Sequence, residues 1–561
     1  MGVSLSAWYI NIGKKYLLLV LWAAGCAVLF WRTYCYFKYD PGFYYVHRML
    51  GPWLCISRGS AAVLNLNCGF VLLPMCRSLL TLLRRLNRRI SVETMRLILD
   101  TCKGFHITCA FFICINAVIH FVAHMFNARN FSQYYNPAIP GVNGAHFSNQ
   151  DPLLVAITTV PGITGMLMMM ILIMIVTSSF RYMRDTNYDL FWYTHRLIVV
   201  FYILLLIHAL RGPIRKQINI PAHTPGCNDT LTMSMAEPEP EAEYSFHSYR
   251  CQEEPKFDSI GCQSWLWIGI PLLLYVIDGA FRMKQRETTV IVTDIIEHYC
   301  DVIEIHMHTD LHKPSPGQYV LIQCPRLSVF EWHPYSITKC PTRDRPEISV
   351  HIRTRGDWSE RLRAHVQESL HEEREESVES LDETPRLKLV VDGPFGGPLD
   401  TVLQSRVAVC IAGGIGITPF IAVLNHVRSS KQKLKPKRLY LIWVCRSVLE
   451  LTWFLATIIS THQHLWNQNM PDFLDIRFHC TDLQESHIQA IPPEQREFVT
   501  SRLEPGRPVW PQHFSQFCAS HRRETVDVFA CGPKGLITDV QRQCLRGNVQ
   551  KTNFIFHRES F

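Results

Sequence analysis

Two apolar runs constrain this chain more than any other feature. Phe105 to Phe126 carries His106 and His120, and Leu190 to Leu210 carries His195 and His208. An ionisable side chain inside a membrane span is costly and asks for a functional reason. The 14-residue step from His106 to His120 rises about 21 Å along a helix, and the 13-residue step in the other run slightly less. A hydrocarbon core is about 30 Å thick. One histidine of each run then lies in each leaflet, at matching depth. Two imidazoles facing each other can clamp one haem iron, and two such pairs would stack two haems into an electron wire. The bland alternative is a histidine bonded to a backbone carbonyl. It explains one histidine better than four at matched spacing. One detail resists: 14 helical steps return to within about 40° of the same face, whereas 13 steps miss by about 140°. A kink, a tilt or an offset haem has to absorb the difference.

The 561 residues imply several domains, and the apolar residues (48%) are unevenly spread. Long apolar runs fill residues 1–283, and the remainder reads as a soluble α/β protein. Six spans are expected, roughly 16–37, 51–80, 104–127, 153–180, 190–210 and 263–282. The first also has the look of a cleavable signal, but its apolar run continues through Trp31, which favours retention. The net charge of +8 is not a nucleic-acid signal, because the basic residues cluster beside the spans. Arg84, Arg85, Arg88, Arg89, Arg181, Arg184, Arg282 and Lys284 all fall on one side, which places both termini in the cytoplasm. The loop 211–262 is then outside, as is the loop after the third span. Sequons at Asn228 and Asn130 agree and mark a glycoprotein. Outside, Cys227 and Cys251 can pair; the 20 cysteines form no Cys-x-x-Cys metal pattern. With this topology the third and fifth spans run the same way, so His106 pairs with His195 and His120 with His208.

In the soluble half, residues 289–356 alternate in the manner of strands. The segment His333-Pro334-Tyr335-Ser336 precedes a strand ending at Arg353. Gly356-Asp-Trp358-Ser359 opens a helix expected to reach Gln367, and 368–384 reads as a solvated insertion. From 388 the pattern is βα. Val407–Ala412 runs into Gly413, Gly414, Gly416 and Thr418, then a helix; such glycines let a backbone approach a pyrophosphate. The next strand ends at Arg446, where an arginine favours a 2′-phosphate. The last strand read from the pattern ends at Cys531-Gly532-Pro533, and the chain ends on Phe561.

Taken together these motifs resemble the NADPH oxidase family, the flavocytochrome b enzymes, and the soluble half is similar to ferredoxin–NADP reductases. The match covers nearly the whole chain, and Ser57 to Arg77 with the long outer loop most resemble the peroxide-producing isoform-four branch. The resemblance implies a multidomain membrane protein. Residues 1–283 would be a six-helix transmembrane bundle of ferric-reductase type. Residues 284–390 would be an antiparallel β-barrel for FAD, and 391–561 an α/β Rossmann-like NADPH domain. It implies two b-type haems on His106/His195 and His120/His208. It implies flavin contacts from His333, Pro334, Tyr335, Ser336, Arg353, Trp358 and Ser359. Tyr-Ser stands where the family has Phe-Thr. NADPH contacts would come from Gly413, Gly414, Gly416, Thr418, Arg446, Gly532 and Pro533. Cys531 would lie beside the nicotinamide and Phe561 would cover the flavin. Arg58 and His124 would face oxygen near the outer haem. His223, four residues before Cys227, is a candidate proton donor on a lid that turns superoxide into hydrogen peroxide. O2 and NADPH are the implied substrates. The implied partner is the small phox cytochrome b light chain, and the implied membranes are the endoplasmic reticulum and the plasma membrane. Two other readings stay open: a ferric or cupric metalloreductase with the same wire, and a non-catalytic membrane scaffold or channel.

Overall fold

The computed structural model describes residues 5–76, 78–80, 82, 92–134, 139–142, 151, 154, 158–208, 210, 214–227, 252–261, 264–286, 289–308, 314–328, 331–341, 347–376, 387–430, 434–546 and 552–559. It divides into two compact units. One is Leu18–Met75 with Lys103–Val276; the other is Met1–Leu17, Cys76–Cys102 and Ile277–Phe561.

Among the described residues six helices are long and apolar enough to cross a membrane: Leu5–Tyr39, Pro52–Met75, Thr101–Gln133, Val160–Ser179, Tyr188–His208 and Ser264–Lys284. Large apolar side chains such as Val28, Trp31, Met170 and Ile203 are exposed on them. In water that much apolar surface would be untenable, whereas lipid solvates it. The second span is the inner one: half of its apolar window is buried (50%), against 6–17% in the others. Small residues make this possible. A Cβ on Gly59 would lie 2.9 Å from the Phe30 ring, and one on Gly69 would lie 2.7 Å from the Trp267 carbonyl. This span was expected to run to 80, but its helix ends at Phe70 and a 3-10 turn, Leu73–Met75, follows.

The fifth span is two helices, Tyr188–Arg196 and Ile198–His208, broken at Leu197. There ψ is −9°, and the Leu197 amide bonds the Thr194 carbonyl in a tighter i−3 pattern. The break lies between His195 and His208. The unequal spacing of His195 and His208 required such a correction.

Six antiparallel strands close a barrel in the order 289–298, 302–308, 347–353, 333–339, 319–323, 389–395. Alternation sends Ile303, Ile305, Met307, Ile348, Val350 and Ile352 into its core, all at most 1% exposed. The closing strand Leu389–Phe395 continues past the domain boundary anticipated at 390. The helix Asp357–Glu376 overruns its anticipated end at Gln367, so the first part of the supposed insertion is helical; residues 377–386 lie outside the described ones. Next comes a six-stranded parallel sheet in the order 503–505, 474–480, 438–445, 407–413, 525–531, 553–559. The sixth strand, 553–559, was not anticipated.

Candidate active site

The transmembrane histidines face each other in the pairs anticipated from topology. His106 and His195 have ring centres 6.2 Å apart with planes at 56°; His120 and His208 are 6.3 Å apart at 59°. An imidazole nitrogen binds a first-row metal at about 2 Å, and the ring centre lies about 1 Å behind it. Two rings clamping one ion are therefore about 6 Å apart, which both pairs satisfy. The remaining ring nitrogens are held. His106 Nδ1 donates to the Val71 carbonyl at 2.9 Å, a group left orphaned where the second span's helix ends. His120 Nδ1 donates to the Ser57 carbonyl at 2.9 Å. The Thr164 hydroxyl gives its proton to the Val160 carbonyl, so its oxygen accepts from His208 Nδ1 at 2.8 Å. In these three rings the proton sits on Nδ1 and the lone pair on Nε2, the tautomer a metal ligand needs. His195 Nδ1 is buried without a partner among the described residues. The donor set fits two bis-histidine haems. None of the Nδ1 partners was legible from spacing, since two are backbone carbonyls.

Arg58 follows Ser57, whose carbonyl holds His120, and its guanidinium lies 5.2 Å from the Phe37 ring. The His124 ring meets His120 edge-on at 4.5 Å. Asn130, read as a loop sequon, instead lies in the helix Val92–Gln133, where its amide donates to the Leu50 carbonyl; Asn228 lies outside the described residues. His223 is not a solvated loop residue: it is 1% exposed. Its Nδ1 donates to the Glu253 carbonyl at 2.9 Å, and its Nε2 accepts from the Tyr45 hydroxyl at 2.7 Å. Cys227, whose Sγ is 3.6 Å from both His223 nitrogens, is disulfide-bonded. Cys251 lies outside the described residues, as does Phe561.

On the barrel, Trp358 is buried and stacks on His333 at 4.1 Å and, more distantly, on Tyr335 at 6.3 Å. Pro334 and Ser336 alternate with them on the strand His333–Lys339. Burial pushes the Tyr335 phenol well up, so it stays neutral. The Ser359 hydroxyl accepts from the Arg355 amide at 3.0 Å and donates to the Gly356 carbonyl, fixing the loop into the helix. Arg353 ends its strand on Glu450 at 3.3 Å, a carboxylate that is 2% exposed. Burial pushes the Glu450 pKa up, against the pull of Arg353.

In the parallel sheet, chain order reverses between strands 407–413 and 525–531, and ligands bind at such a switch point. The glycines anticipated for a pyrophosphate permit close backbone packing there. A Cβ on Gly416 would lie 2.4 Å from the Cys531 carbonyl, and one on Gly413 would lie 2.6 Å from Pro533 Cδ. Gly532, at φ 152°, would itself collide with Gly413. Gly414, at φ 53°, is the more open member, with its carbonyl held by Trp443 Nε1 at 3.0 Å. The helix Thr418–Ser429 starts beside this loop with no side-chain cap, which leaves its first N–H groups for an anion. Arg446 is exposed at the tip of the neighbouring strand. Cys531 is 7% exposed, and burial drives its thiol pKa well up.

Three family patterns match in succession: "Ferric reductase like transmembrane component" at residues 58–206, "FAD-binding domain" at 283–399 and "Ferric reductase NAD binding domain" at 405–545. NADPH oxidase 4 of Mus musculus is 39% identical over 582 residues, covering 100% of both chains. NADPH oxidase 4 of Homo sapiens is 39% identical over 581 residues, again with 100% of both covered. NADPH oxidase 1 of Rattus norvegicus is 31% identical, covering 99% of this chain and 100% of its own. Among solved structures, the ferredoxin reductase in carbazole 1,9a-dioxygenase aligns with 47% of this chain and 68% of its own at 16% identity, with a TM-score of 0.32. With two facing histidine pairs, a flavin-type barrel, a nucleotide-type sheet and relatives matched end to end, the chain belongs to the NADPH oxidase family.

Proposed function

We propose that the protein moves electrons from NADPH, through FAD and two b-type haems, to O2 on the far side of the membrane. When bound, FAD would supply the conversion of a two-electron donor into single electrons, and haems the onward relay. His106 and His195 would hold one haem, His120 and His208 the other. The observation that carries this reading is the pair of matched separations, 6.2 and 6.3 Å. His120 and His208 would both be taken up in holding the outer haem, so O2 would be reduced beside it. Arg58 and His124 beside the outer pair supply positive charge and hydrogen bonding where superoxide develops.

In the soluble half, Trp358, His333 and Tyr335 form an aromatic wall for the flavin. The Thr418 helix start and Gly414 receive the pyrophosphate, Arg446 the 2′-phosphate, and Cys531 borders the nicotinamide. The Lys/Arg bias supports cytoplasmic termini, in the endoplasmic reticulum or the plasma membrane. Family membership supports a small cytochrome b light-chain partner.

Hydrogen peroxide is the main product in this reading. The loop closed at Cys227 retains superoxide, and His223 with Tyr45 forms a proton relay at its base. The test is purified protein given NADPH under air, with O2 uptake, superoxide and peroxide measured together. O2-dependent NADPH oxidation with a Soret band supports the reading. NADPH oxidation that needs ferric or cupric ion and not O2 would replace it with the metalloreductase.

A further inference from the structure

On the outer face of the barrel, three strands bring together groups that the electron path does not use. Glu304 is paired across the sheet with His351, and His298 lies on the strand at its other side. Nε2 of His298 is 3.2 Å from Glu304 Oε2, and Nε2 of His351 is 3.4 Å from the same oxygen. Nε2 of His306 is 2.9 Å from the other oxygen, Oε1. His351 is 5% exposed.

The hydrogen bonds behind His351 favour one tautomer. The Thr338 hydroxyl donates to the Ser349 carbonyl at 2.9 Å, so its oxygen accepts from His351 Nδ1 at 3.1 Å. The His351 lone pair is therefore on Nε2, which is buried and has no hydrogen-bond partner among the described residues. That lone pair points at a carboxylate oxygen. Two lone pairs at 3.4 Å repel unless a cation lies between them. A proton is one solution, for one of the two imidazoles that face Glu304 Oε2. A metal ion is the other: a neutral imidazole with a hydroxyl behind its Nδ1, next to a second imidazole and a carboxylate, is a zinc-type donor set.

We propose that His298 Nε2, Glu304 Oε2 and His351 Nε2 bind one divalent ion of the zinc class, with water completing the shell and His306 orienting the carboxylate. The ion braces the barrel where the nucleotide lobe packs against it. There His351 meets the Phe454 ring at 4.3 Å, and the Thr338 carbonyl accepts from Asn425 at 3.0 Å. Asn425 lies on the helix that starts at the glycine loop.

The test uses full-length protein in detergent, with its flavin and haems. Wild type, His351→Gln, Glu304→Gln and Thr338→Val are dialysed against zinc at a fixed free concentration, and zinc per chain is measured by elemental analysis. The expected result is one equivalent more zinc in wild type than in His351→Gln or Glu304→Gln. Thr338→Val should bind zinc about 10–100-fold more weakly, as removal of an orienting partner does. The zinc X-ray absorption edge should show nitrogen and oxygen at about 2.0 Å and no sulfur. Should the first two variants lose flavin, Thr338→Val decides, since it removes only the hydroxyl. Equal zinc in wild type and all flavin-retaining variants, or sulfur in the shell, would overturn the proposal.

Discussion

Cofactor choice and redox tuning would rest on single side chains. Arg446 stands exposed at a strand tip beside the switch point. Arg446→Ala should raise the KM for NADPH about 10–100-fold, the worth of a charge-assisted hydrogen bond, and leave the KM for NADH nearly unchanged. Equal losses for both nucleotides would make the arginine structural. Thr164 accepts from His208 Nδ1, which would make that imidazole a stronger donor to a haem iron. Thr164→Val should therefore raise the midpoint potential of one haem by roughly 20–60 mV, the equivalent of about one hydrogen bond, and leave the other in place. A redox titration checks it. At the lid, Tyr45→Phe removes the hydroxyl on His223 while keeping the ring. Electron flow should persist in Tyr45→Phe, in His223→Ala and in Cys227→Ser, with product shifting toward superoxide. An unchanged peroxide fraction in all three would leave Arg58 and His124 to control proton delivery.

At the scale of elements, backbone approach matters more than side-chain identity. Gly416 closes on the Cys531 backbone, so Gly416→Ala forces two strand-end loops apart. A loss of about 1–3 kcal/mol is expected, together with weaker NADPH binding. Gly535, in the helix Lys534–Arg546, has open space where a Cβ would stand, with nothing within 4 Å, so Gly535→Ala should be neutral or stabilise by about 0.5–1 kcal/mol. Thermal melts of the two variants provide the contrast. Much at this scale was legible beforehand. Alternation located the barrel region over 289–356 but missed its closing strand, Leu389–Phe395, which read as part of the βα half; the glycine-rich turn after Val407–Ala412 located the switch-point strand. The break at Leu197 was not, because Leu-Ile-Val carries neither proline nor glycine. Only the unequal histidine spacing showed that a correction was needed somewhere. The buried His223 was also hidden, since a loop with no periodicity gives no sign of which residue turns inward.

At the scale of the whole molecule, what sequence could not show is contact between distant segments. Asn11 donates to the Phe554 carbonyl at 2.9 Å and accepts from the Phe556 amide at 2.7 Å, across more than 540 residues. The N-terminal segment thus docks on the last strand. The zinc-type cluster likewise forms only when strand register brings His298 beside His351. The histidine pairs differ: helix length and alternating topology were enough to pair them, and the structure adds the hydrogen bonds that aim them. The most direct measurement of the central claim is the haem content and redox titration of four variants, His106→Leu, His195→Leu, His120→Leu and His208→Leu. The account predicts that each keeps one haem, that His106→Leu and His195→Leu lose the same one, and that His120→Leu and His208→Leu lose the other. Loss of different haems by His106→Leu and His195→Leu, or full haem content in any of the four, would contradict it.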